Sequence, residues 1–155
     1  MSQDISVFGL EANVVASNTF PNGINITAFA NDGDPLDSPD LEIADMAIGP
    51  NGDTISWSSP RLVEIVTTVI PQSDDDLNLT ALVDANRVAK GKTSAQDAIT
   101  IVWTYPNGMK VTCSDGKIVT GPVVQSGTAE GKAKSKRFAF KFGQVTRQNP
   151  PGTTA

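Results

Sequence analysis

ITIVWTYPNGMKVTCSDGKIVT, residues 99–120, sets Ile99, Ile101, Trp103 and Tyr105 on one side of an extended chain and Thr100, Val102 and Thr104 on the other. A period of two over β-branched and aromatic residues is the pattern of a half-buried antiparallel strand. Pro106-Asn107-Gly108 follows, with proline presetting the first turn position and glycine accepting the left-handed one. Met109, Val111 and Cys113 resume the alternation, and Ser114-Asp115-Gly116-Lys117 reads as a second turn. The expectation is a meander of three strands over 97–105, 108–113 and 117–124.

The same period recurs outward from this stretch. Ile24, Ile26 and Ala28 alternate with Asn25, Thr27 and Phe29, and Phe138, Phe140 and Phe142 alternate with Arg137, Ala139 and Lys141. Arg61 to Ile70 is apolar on both faces, as a more central strand is. Pro-Asn-Gly also stands at 21–23, read as a turn, and at 50–52, read as a hairpin connection. Residues 38–48 are open to two readings, since Ser38-Pro39-Asp40 also suits a helix start, and strand is preferred because this turn and then Ile55 and Trp57 follow.

One helix is expected, about four turns long. Ser73 caps it, with Asp76 three residues on, and Asp74 to Asp76 suit the positive end of its dipole. Leu77, Ala81, Ala85 and Val88, flanked by Leu82 and Ala89, form its apolar stripe, and Gly91 after Lys90 forms its C-cap. Residues 30–40, with two prolines and four aspartates, read as a long polar loop. The 155 residues fit one β-rich domain, 1–148, with NPPGTTA after Gln148 as a flexible tail, 149–155.

Composition narrows the chemistry. No histidine is present, which removes the usual general base near neutral pH, the usual activator of a serine or cysteine nucleophile, and the commonest zinc ligand. Cys113 is the one cysteine, so no intrachain disulfide forms, and its alternation with Val111 and Met109 marks a small buried hydrophobe. No apolar run approaches the ~20 residues that span a bilayer, so no membrane anchor is expected. The opening MSQDISVF lacks the regions of a signal peptide, so the expected site of synthesis and assembly is the cytoplasm.

The tempting motifs have plainer readings. Lys90-Gly91-Lys92-Thr93 resembles the end of a phosphate loop, but Asn86 stands where the first glycine belongs and a helix leads in. Ser114 and Lys117 have the spacing of acyl-transfer enzymes on a turn where those need a helix. A calcium loop from Asp32 fails at Leu36 and Asp37. The sequence thus points to no catalytic residue, no metal ligand set and no cofactor.

Charge is divided along the chain. Residues 1–60 hold nine acids (Asp4, Glu11, Asp32, Asp34, Asp37, Asp40, Glu42, Asp45 and Asp53) and no lysine or arginine, while the remainder carries +4 and the whole −5. Two unlike patches on one chain favour assembly through complementary ends. The basic run Lys132, Lys134, Lys136, Arg137 and Lys141 interleaves with Phe138, Phe140 and Phe142. A face for an acidic neighbour is the reading preferred over a plain solvated edge or a phosphate patch, with the aromatics as core.

In order of elements, LEIADMAIGPNGDTISWSSPRLVEIVTTVIPQSDDDLNLTALVDANR (41–87) and ITIVWTYPNGMKVTCSDGKIVTGPVVQSGTAEGKAKSKRFAFKFGQV (99–145) resemble the small tail tube proteins of tailed bacteriophages, especially contractile ones. The resemblance implies a mainly β fold of two packed antiparallel sheets, sandwich- or barrel-like, flanked by one α-helix. It also implies a non-enzymatic virion protein of the tail, forming hexameric rings stacked into a tube through which DNA and the tape measure protein pass. Tail sheath and baseplate proteins are the implied further partners, and the N-terminal acidic loop corresponds to ring-to-ring contacts. Candidate inter-subunit contacts are Asp32, Asp34, Asp37, Asp40, Lys132, Lys134, Lys136 and Arg137, and reversing Lys132, Lys134 and Lys136 together is expected to disturb assembly but not folding. The competing reading is a β-sandwich binding or completion module of a baseplate or head–tail connector. That class favours exposed aromatics on loops, whereas Trp57, Trp103 and Tyr105 lie in strand patterns.

Overall fold

The computed structural model describes residues 9–30 and 34–149. In chain order its elements are β1 (Glu11–Ala16), β2 (Phe20–Ile26), β3 (Ala44–Ile48), β4 (Thr54–Ser58), β5 (Val63–Val69), α1 (Asp74–Asn86), β6 (Ile99–Thr104), β7 (Lys110–Thr120) and β8 (Lys136–Gln148). Six strands form one antiparallel sheet in the order β2-β1-β6-β7-β8-β5, and β3 and β4 form a separate two-stranded sheet. The fold is therefore mainly β, with two antiparallel sheets and one helix, and the large sheet does not close into a barrel.

Alternation builds the core as expected. Ile99, Ile101 and Trp103 are buried from β6, and Phe138, Phe140 and Phe142 from β8, joined by Ala12, Val14, Ile26 and Cys113. Each large side chain taken out of water contributes roughly 1.5–3 kcal/mol. Phe29 stacks on Trp103 at 6.1 Å between ring centroids. Burial pushes the Cys113 thiol up to about 11, in keeping with a packing residue.

Several local expectations are corrected. Ser114 to Lys117 is no turn. It lies inside the eleven-residue β7, where Asp115 takes φ 55° and the pairing with β6 slips. Gly116 is required there because a Cβ would stand 2.1 Å from Cδ1 of Phe142, so the expected second and third meander strands are one strand paired with β8. Pro21 to Gly23 also lies within a strand, on the open edge of the sheet, where a proline leaves no ladder bond missing. Gly23, at φ 83°, supplies an irregularity beside the slip between Val14 and Ala16. β5 is an edge strand, although both its faces are buried. Its outer side is covered by the segment after β2, through Ala30 N–H to Thr68 C=O (3.1 Å) and reciprocal bonds between Asp37 and Val66 (2.9 and 2.8 Å).

The helix begins as read: Ser73 Oγ accepts from the Asp76 N–H at 3.2 Å. Its buried face differs, being Asp75, Asp76, Leu79, Leu82 and Val83, while Leu77 and Val88 are 60% and 71% exposed. The expected stripe followed apolar residues alone, but both aspartates turn inward because they have donors waiting. Asp75 accepts from the N–H groups of Thr27 and Ala28, each at 2.8 Å, and pins the end of β2 to the helix. The helix stops at Asn86, not at Gly91. The Asn86 amide donates to Leu82 C=O and to Asp97, and Gly91 belongs to a separate turn bridged by Ala89 and Lys92. Lys92 donates to the carbonyls of Arg87 (2.6 Å) and Asp84, satisfying the open C-terminal end. Replacing Ser73 by alanine is expected to cost about 1 kcal/mol in a urea titration, since one N-terminal donor loses its acceptor.

Asp97, fully buried just before β6, ties three segments together. It accepts from the N–H groups of Asn18 (2.7 Å) and Thr19 (2.9 Å), from the Thr19 hydroxyl and from the Asn86 amide. Burial alone would raise its pKa, but the donors from Thr19, Asn86 and Asn18 outweigh it and hold the carboxyl below its ordinary value. A depressed folded pKa gives stability that is fully present above the unfolded value of about 3.9 and is lost as pH falls through the folded one. Asp97→Asn is therefore expected to be less stable than the parent at neutral pH, by about 1–3 kcal/mol, with the gap narrowing under acid. Urea midpoints at neutral pH and below pH ~3 check this.

Candidate assembly surfaces

β3 and β4 pair in register from Ala44–Ser58 to Ile48–Thr54, and Gly52 closes the turn at φ 87°. The expected Pro50-Asn51-Gly52 hairpin is thus present, but all five residues of each strand are exposed. Cross-strand partners share a face, so Asp45 with Trp57 and Ala47 with Ile55 lie on one side. Met46 and Ile48 lie on the other, opposite Ser56 and Thr54. Ile43 and Ile48 keep 73% and 77% of their surface in water, and Leu41 and Leu62 extend the apolar run at the hairpin's base. Large apolar side chains left open on both faces of one hairpin are the kind of surface that marks an interaction site. The turn located this pair, but of the strand read over 38–48 only 44–48 forms, because residues 38–43 find no partner strand among the described residues, and a turn does not say whether the apolar side finds a core.

The charged candidates sort into three groups. Asp34, Asp37, Lys134 and Arg137 line one cleft of about 360 Å³ together with Val66 and Thr68, so basic neighbours for the acidic loop exist within the subunit. Asp40 and Lys132 are exposed, Lys132 in the turn where Thr128 and Lys132 exchange hydrogen bonds. Asp32 lies outside the described residues, as do Asp4 and nearly all of the tail read at 149–155. Lys136 is different: it is buried, with Nζ 3.1 Å from Asp76 Oδ1 and 3.3 Å from Thr80 Oγ1. It is thereby taken up inside the subunit. The triple reversal of Lys132, Lys134 and Lys136 would strand Asp76, and so the expectation that it spares folding is withdrawn.

The α1–β7 groove was not singled out from the sequence. Val83, Asn86 and Arg87 of the helix end and Ile118 to Gly121 with Val123 line a depression of about 320 Å³, with Val119 and Val123 exposed along it. Among the described residues no group of three or more His, Cys, Asp or Glu side chains could hold a metal ion.

A family model described as tail fiber protein gp32 matches residues 3–146. The chain belongs to this family. Members of the gp32 family are tail proteins by that description, which gives this chain a structural place in a tail. The sequence matches none of the curated proteins. Among solved structures, the chain is similar to one in the sheath/tube terminator of the extracellular contractile injection system PVC in its extended state. The two share 13% identity over 96% of this chain and 99% of that one, with a TM-score of 0.61. A chain of the PVC sheath-tube complex in the extended state is similar at 13% identity, covering 88% and 87%, TM-score 0.53. A chain of the anti-feeding prophage cap, the tube terminating cap, is similar at 11% identity, covering 96% and 93%, TM-score 0.54. At such identities the likeness is one of fold, and the tube-like fold read from the sequence for this gp32-family chain is borne out.

Proposed function

We propose that this chain is a non-catalytic structural subunit that forms hexameric rings, and that the rings stack into the tube of a virion tail. The observation that carries the proposal is the β3–β4 hairpin, whose apolar residues are left exposed by the described residues of their own subunit. A free two-stranded hairpin is marginally stable in water, and a neighbouring subunit supplies what it lacks. A contact between two unlike patches closes into a ring or continues as a filament. On this reading residues 1–148 form one domain, assembly takes place in the host cytoplasm, and DNA and the tape measure protein pass through the lumen. Sheath and baseplate proteins are its neighbours, a pairing supported by the tube, sheath and terminator assemblies in which similar folds stand. Asp34, Asp37, Asp40, Lys132, Lys134 and Arg137 remain candidates for steering those contacts; exposed pairs are worth about 0–1 kcal/mol each and set register more than affinity.

The second reading is a completion ring that caps a tube instead of repeating along it. It is favoured by the terminator likeness, which covers both chains almost entirely. Size-exclusion light scattering and negative-stain microscopy over a wide concentration range separate the two. Stacked six-membered rings support the tube, single rings that never stack support the completion reading, and a strict monomer in every buffer rejects both.

A further inference from the structure

We infer that the hairpin docks in the α1–β7 groove of a second copy of this chain, with Asp45 set against Arg87. The inference rests on the self-assembly proposed above and names the surface that receives the hairpin. Both halves of the contact are on one subunit and both are open. The donor face presents Ala47, Ile55 and Trp57 with Asp45 among them, and at the hairpin's base Ile43, Glu42 and Arg61 line a small depression together with Asp45 and Trp57. The receiving groove presents Val83, Ile118, Val119 and Val123 with a single charge, Arg87, at its helical rim.

The signs of the two strands and of the helix end match. Residues 9–60 contain no lysine or arginine, so the donor strands offer acids alone, with Glu42 and Asp53 flanking Asp45. Among the described residues, the Arg87 side chain is held only by Asp84 at 4.0 Å, with 45% of it in water. A guanidinium in that state keeps donors free for a second carboxylate. Arg87 also sits where α1 ends, so an incoming carboxylate meets it at the rim and the apolar side chains meet the valines beyond. Hairpin to groove is head-to-tail, since donor and receiver are different surfaces. Such a contact leaves the pair with one hairpin and one groove still to be used, which is the condition for a closed ring or a growing tube.

Two experiments on the full chain decide it. Asp45→Arg and Arg87→Asp, each checked for folding by circular dichroism, are expected to raise the concentration at half-assembly about tenfold singly. Combined in one chain they should return it to within about threefold of the parent, because the swapped charges attract again. Separately, an Ile55→Cys chain and a Val123→Cys chain are mixed and treated with a short bismaleimide. The buried Cys113 does not compete. Linked dimers in the mixture and not in either chain alone place one subunit's hairpin at another's groove. Rings or tubes that form normally while the singles assemble like the parent, or while the mixed cysteines stay unlinked, overturn the groove assignment and leave the proposed function standing. Linkage within one chain carrying both cysteines, at monomer mass, also overturns it. A parent that never assembles overturns both.

Discussion

Asp76→Ala is expected to lose about 3–5 kcal/mol of stability, the cost of removing one partner from a buried ion pair. Asp76 is 1% exposed, and its carboxylate accepts from Gln72 N–H (2.7 Å), Thr80 Oγ1 (3.1 Å) and the Lys136 ammonium (3.1 Å). Its removal leaves an ammonium inside the protein with only a hydroxyl nearby. It also frees a backbone N–H in the turn that leads to the helix. The effect is large because Lys136 begins β8, the strand that carries Phe138, Phe140 and Phe142 into the core. Urea unfolding measures it, and the double variant Asp76→Leu with Lys136→Met tests the cause. That double should recover much of the loss, since two apolar residues leave no charge behind. A loss below about 1 kcal/mol in the single variant would mean that Lys136 turns out to water on its flexible stem.

Ile55→Asp combined with Trp57→Asp is expected to abolish assembly while leaving the subunit folded. Both residues lie on β4, and no residue of β3 or β4 is buried in the subunit. Folding should therefore change by no more than about 0.5 kcal/mol, as for surface substitutions generally. In an interface the same residues are large apolar anchors, and truncating such anchors costs about 2 kcal/mol or more each. Buried carboxylates without partners cost more again. Light scattering of the variant should find monomer at concentrations where the parent forms rings or tubes. A variant that still assembles would remove the hairpin from the contact.

Much of this fold was legible because alternation and turn chemistry are local. The β6 and β8 faces, the two Pro-Asn-Gly hairpins at 50–52 and 106–108, and the Ser73 cap each depend on residues within a few positions. What was misread depended on distant partners. Asp115 and Gly116 look like a turn until Phe142 lies across Gly116 and makes a straight-running bulge the compact solution. Asp75 and Asp76 look like solvated helix-start acids until Thr27, Ala28 and Lys136 arrive from remote segments. Lys136 sits in a basic run that alternation splits, so that Arg137 faces water and Lys136 does not. For the assembly surfaces the sequence displayed the apolar residues of 41–62 and the division of charge. It gave no sign of the groove, which forms only where the end of α1 meets the end of β7.

The isolation of the hairpin also bears on timing. Two strands without a third hold together weakly, so docking must order them as well as bury them. If the subunits assemble as proposed, a single hairpin contact between two free subunits then yields little net free energy, and small clusters fall apart faster than they grow. A subunit arriving at an existing ring meets several surfaces at once and orders its hairpin against a frame already fixed. Spontaneous starts are rare under such conditions and extension from a template is fast, so the number of tubes follows the number of starting sites and not the supply of subunits.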